Sequence, residues 1–94
     1  MIMRPIYIIA DEIRGDWKKV SAFAAPYLMA MNRLNAITDS YYSDSGASIV
    51  MYFLVNANGW HGETARRVKK ELKHILKNQQ DHRKAVEESL ESLY

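Results

Sequence analysis

Near the start of the chain, apolar residues recur in steps of three and four: Ile6, Ile9, Ala10, Ile13, Trp17 and Val20. That is the period of an amphipathic helix. Pro5 suits its first position, where a missing N–H costs no hydrogen bond. The run Ile6-Tyr7-Ile8-Ile9 would also fit a strand, because β-branched residues favour sheets, but the helical spacing carries on past it. Gly15-Asp16 is expected to end this helix, with Asp16 capping the next one. Pro26 interrupts Ala22–Leu28. An interior proline removes a ladder hydrogen bond and clashes with the preceding turn, so a new helix should start at Pro26. It would turn Tyr27, Leu28, Met31, Leu34 and Ile37 inward and Asn32, Arg33 and Asn35 outward.

The polar stretch Asp39–Gly46 predicts a loop, with Ser43 or Asp44 as the N-cap of the next helix. Ala47–Val55 is apolar almost all round, the pattern of a helix surrounded by others. Asn58-Gly59 is a natural stop after it, since both residues tolerate left-handed dihedrals. The last helix should open at His61–Glu63 and bury Ala65, Val68, Leu72, Ile75 and Leu76. Its stripe weakens at Gln79 and His82 and resumes at Val86, Leu90 and Leu93. One helix from Gly62 to Leu93 would be about 48 Å long at about 1.5 Å per residue. A compact domain of this length is only about 30 Å across. Either the helix breaks near Asn78-Gln79-Gln80, or its end frays, or it projects and offers Val86, Leu90 and Leu93 for self-association. The pattern therefore predicts an all-α protein, a compact bundle of four to five helices with a buried central helix and a long basic C-terminal helix. Residues 1–78 form the helical domain and 79–94 a C-terminal helical extension or tail.

Composition narrows this picture mainly by exclusion. With 94 residues, 48% of them hydrophobic and 11% aromatic, the chain suits one globular domain rather than a disordered one. It contains no cysteine, which rules out disulfides, zinc–thiolate sites and thiol catalysis. The apolar start is short and meets Asp11 and Glu12 where a signal-peptide cleavage region would lie. No apolar run approaches the roughly 18 residues that span a bilayer. A soluble, cytoplasmic protein with no membrane partner is expected.

The motifs of catalysis are missing: no GxSxG elbow, Walker loop, GxGxxG or HExxH occurs. The three histidines, His61, His74 and His82, are not spaced to share one metal on a helix face. Glu71 and His74 make a single ExxH step, whereas di-iron bundles need two steps and further glutamates. Asp11, Glu12 and Asp16 could cluster on one helical side, but solvated surface acids, with Asp16 as a cap, explain them as well. The expectation is a protein that is not an enzyme, with no catalytic residues, no metal and no cofactor.

Charge distribution says more about binding than the net charge of +2 does. Arg66, Arg67, Lys69, Lys70, Lys73 and Lys77 face a single acid, Glu71, in one stretch of the last helix. Of these, Arg66, Lys69, Lys70, Lys73 and Lys77 lie opposite the buried stripe and form a basic face able to meet several phosphates. A solvated outer face has the same pattern. Asn56, Asn58, Trp60 and His61 gather at one turn and are a second candidate contact site, although Trp60 could equally pack over the start of the last helix.

The order and spacing of several short pieces resemble a group of small, uncharacterised proteins encoded by tailed phages and prophages. The pieces are Ile6-Tyr7, Ile9-Ala10, Glu12-Ile13, Asp16-Trp17, Pro26-Tyr27-Leu28, Ala30-Met31 and Leu34. They continue with Asp39, Asp44-Ser45, Ser48-Ile49-Val50, Tyr52-Phe53-Leu54, Asn56-Ala57, Trp60, Gly62-Glu63, Ala65-Arg66 and Lys70–Lys73. The resemblance spans roughly residues 6–77 and leaves the tail outside. It implies a mobile element in the cytoplasm of a bacterial host, and brings no activity with it. On that basis the expected function is an accessory protein that binds a host or phage protein, one form being inhibition of host defence in the manner of an anti-CRISPR protein. The alternative is a small nucleic-acid-binding module using the basic face. A homodimer through the C-terminal helix is a third reading.

Overall fold

A computed structural model of the protein describes the backbone of residues 4–91 and the side chains of residues 4–78. The described chain is mostly helical. Its elements run α1 (Ile6–Asp16), α2 (Ala25–Met31), β1 (Ser40–Tyr41), β2 (Asp44–Ser45), α3 (Gly46–Val55) and α4 (Glu63–Glu91).

Three of the helices bury a one-sided stripe, in α1 and α4 at the spacing their sequence predicts. In α1 it is Ile6, Ile9, Ala10 and Ile13; in α3, Gly46, Ile49, Val50 and Phe53. On α4 it is Ala65, Val68, Leu72 and Ile75. Leu28, Ala30 and Met31 of α2 join them in one core. Removing such side chains from water is the main term that holds a small domain together. Trp17 and Val20 lie beyond the end of α1, yet Trp17 is buried and Val20 packs against the core. Leu34 and Ile37 are likewise buried from turns, because α2 stops at Met31 rather than running on to them.

The ends of the helices follow local chemistry. α1 has no side-chain cap; the N–H groups of Ile6 and Tyr7 donate instead to the carbonyls of Asn35 and Leu34, at 2.9 and 2.8 Å. Pro26 sits in the first turn of α2, where it is tolerated. α3 is capped by Ser45, whose hydroxyl accepts from the Ser48 N–H, and not by Ser43 or Asp44. It ends at Asn56, and the positive φ beyond it belongs to Gly62, not to Asn58-Gly59.

Two expectations are revised by the fold. The Asp39–Gly46 stretch is a small antiparallel hairpin, pairing Ser40 with Ser45 and Tyr41 with Asp44. Its turn holds Tyr42 at φ 56°, a left-handed conformation unusual for a bulky residue. Strands of two residues are too short to show a two-residue period. The second revision concerns α3, which is not enclosed. Met51, Tyr52 and Val55 are exposed on the side opposite its core stripe.

α4 passes through positions 78–80 without a break. At 29 residues it is about 44 Å long, and the molecule measures 53 × 29 × 22 Å. Val86 and Leu90 lie in the part of α4 whose side chains are outside the described residues, and Leu93 lies beyond the described backbone. No helix among the described residues is long and apolar enough to cross a membrane.

Candidate functional site

Of the turn Asn56–His61, Ala57 and Trp60 belong to the core. Trp60 is 2% exposed, stacks on Trp17 with ring centroids 6.0 Å apart, and meets Phe53 edge-on at 6.5 Å. Its indole N–H donates to Asp16 Oδ2 at 2.8 Å. Asn56 closes the end of α3, its amide donating to the Tyr52 carbonyl at 2.8 Å. Asn58 and His61 are exposed at this turn. Lys69, placed on the basic face by spacing, folds back instead: Nζ donates to the Trp60 carbonyl at 2.7 Å and lies 5.9 Å from its ring centroid. Burial, with a smaller contribution from Lys73, lowers its pKa.

The three acids of α1 do not form a cluster, and each has a separate partner. Asp11 accepts from the Asn32 amide at 3.0 Å. Asp16 accepts from Trp60 and so ties the end of α1 to the turn before α4 rather than capping a helix. Glu12 accepts from Arg67 and, at 2.8 Å, from Arg4. Arg4 in turn grips both carboxylate oxygens of Glu71, at 3.0 and 2.6 Å. This two-pronged geometry is the strong form of the arginine–carboxylate pair. Glu71 is therefore engaged in a structural bond, and the Glu71–His74 step joins no larger set. No group of three or more potential metal ligands occurs among the described residues.

Arg67 foremost, and then Arg4, hold the Glu12 carboxyl below the usual carboxylate range, against an opposing effect of burial. A depressed folded-state pKa stabilises the protein above the ordinary glutamate value and is lost as pH falls through the folded value. Wild type should therefore exceed Glu12→Gln in thermal stability at about pH 7 by about 0.2–1 kcal/mol per pair. The gap should close as pH falls below about 4.3. Melting curves of both proteins across that range check this, and a gap independent of pH would rule the network out as its source.

A cleft of about 310 Å³ lies beside this network, lined by Pro5, Ile6, Ile37, Thr38 and Ile75 with Arg4 at its edge. Its one charged lining group, Arg4, is already held by Glu12 and Glu71.

Two surfaces stand out among the described residues. One is the outer side of α2 and α3. Neither helix has a charged residue, and none occurs from Val20 to Asn32 or, with histidine neutral, from Ser45 to Gly62. Yet Met51, Tyr52 and Val55 are exposed on α3 at 51, 53 and 67%, Met29 on α2 at 60%, and Phe23 in the turn before it at 77%. Tyr27 packs against Tyr52 at 5.5 Å, and the Ser21 hydroxyl donates to the Asn56 carbonyl, so the approach to α2 is fastened to the end of α3. Sequence reasoning missed this face because it took the apolar character of α3 as a sign of enclosure. The signal that could have found it is the lack of charge in both helices. The second surface is on α4, where Arg66, Lys70, Lys73 and Lys77 are all exposed. Set against known proteins, the chain matches no family model, no curated protein and no solved structure.

Proposed function

We propose that the protein is a non-enzymatic phage or prophage accessory protein that acts in the host cytoplasm by binding a host or phage protein. The observation that carries this reading is the absence of charge from α2 and α3, with Met51, Tyr52 and Val55 grouped on the open side of α3 and Phe23 and Met29 exposed at α2. Apolar side chains scattered singly over a surface need no explanation, whereas grouped ones mark interaction sites. Aromatic and methionine side chains are also enriched where proteins meet, and methionine adapts to irregular partners. Sequestering a component of host defence is one concrete form of such binding, and needs no catalytic group.

The test is affinity capture from a bacterial host, with and without nuclease, using the wild-type chain and a Met51→Glu/Val55→Glu variant. Both side chains are exposed, so the variant should keep its fold. A stoichiometric protein that survives nuclease and disappears with the variant is the expected result. A protein captured equally by both chains would remove the α2–α3 face from the reading.

A further inference from the structure

We propose that the exposed basic ridge of α4 binds the phosphate backbone of duplex nucleic acid, as a site separate from the α2–α3 face. The ridge consists of Arg66, Lys70, Lys73 and Lys77, spaced four, three and four residues apart. At about 3.6 residues per turn these positions fall within about 60° of one line along the helix, over about 16 Å. All four are exposed. No acid stands between them on that line: Glu71 is turned aside and held by Arg4, while Glu63 lies before the first of them. Lys69 and Arg67 flank the ridge but are engaged, one with the Trp60 carbonyl and one with Glu12. What is left among the described residues is a narrow row of like charges with no carboxylate paired to it.

The chemistry of the row selects its ligand. Lysine and arginine at successive turns match a regular array of phosphates, and each contact releases condensed counterions. Reading single-stranded bases requires exposed aromatic rings on which they can stack. From Glu63 to Glu91 the helix has no Phe, Trp or Tyr, and Trp60 beside it is buried. The four ridge residues include no Asn or Gln to read adenine, and only Arg66 has the two-pronged donor that suits guanine. Binding should therefore follow the backbone of a duplex and show little preference for sequence.

The experiment is fluorescence anisotropy of the full chain with a labelled random-sequence DNA duplex of about 20 base pairs, against a single strand of equal length and poly-glutamate as competitor. With four phosphate contacts, log K should fall against log salt with a slope of about −3.6, or about 150-fold between 50 and 200 mM. Lys70→Glu/Lys73→Glu should weaken binding at least about tenfold, and Lys70→Gln/Lys73→Gln should lower the slope by about 2. Both variants change exposed residues, and unaltered melting curves would show that the fold persists. Several outcomes would overturn the proposal: no duplex binding at about 50 mM salt, binding untouched by either variant, or tighter binding to the single strand. Competition by poly-glutamate as effective as that of unlabelled duplex would do so too, by assigning the ridge to an acidic protein.

Discussion

Gly46→Ala should lower the stability of the protein by about 2–3 kcal/mol, at the upper end for overpacking. A Cβ at this position would lie 2.6 Å from the Ile37 carbonyl oxygen and 3.0 Å from that of Asp39. Both are backbone atoms, so neither can swing away as a side chain would. The Gly46 N–H also donates to the Asp39 carbonyl at 2.7 Å, and the Asp39 carboxylate accepts from the N–H groups of Asn35 and Ala36. Displacing this junction would loosen the turn after α2, the hairpin and the start of α3 together. The melting temperature should drop by roughly 8–24 °C for a domain of this size. Gly15→Ala is the matched control: nothing lies within 4 Å of its Cβ, and it sits inside α1. It should be neutral or stabilising by up to about 1 kcal/mol. Equal melting temperatures for the two variants would mean that the close approach at Gly46 is wrongly placed.

Trp60→Ala should cost about 3–5 kcal/mol, the range for removing a large buried aromatic. The loss is compound: Trp17 loses its stacked neighbour, Phe53 an edge contact, and Asp16 its donor. Domains of this size are stable by only about 5–15 kcal/mol in total, so the variant should stand near the limit of folding. Trp60→Phe separates the terms. It keeps most of the ring area but leaves Asp16 without the indole N–H, and should fall between wild type and Trp60→Ala. Urea unfolding followed by circular dichroism measures all three. If Trp60→Ala unfolded at the wild-type urea concentration, the residue would belong to the surface turn that its neighbours Asn58 and His61 occupy.

How much of this could be read from the chain depends on the distance over which each feature is encoded. The stripes of α1 and α4 were legible because helical burial repeats every three or four residues within one short window. The start of α2 was legible from Pro26 for an equally local reason. Features made by distant residues were not. Asp16 meets Trp60 and Arg4 meets Glu71 across separations of 44 and 67 residues, and no spacing rule announces either pair. Lys69 and Lys70 look alike in sequence, yet a turn of about 100° per residue brings the first against Trp60 and leaves the second on the ridge. The apolar run of α3 revealed a helix but not how many of its sides had neighbours. The candidate surfaces were legible only as residue types, and the fold decided which members of each set reach solvent.

The Arg4–Glu12–Arg67–Glu71 network joins the first described residue to the first third of α4. For a chain made from its N-terminus, this sets an order of events. α1 is synthesised first, but Arg4 must wait for Glu71, about 3–13 s later at 5–20 residues per second. Until then the α1 face that later meets α4 has no cover from its own chain, beside two helices with no charge to keep them apart from other apolar surfaces. The nascent protein should thus be most prone to aggregation, and most dependent on chaperones, just before α4 is complete.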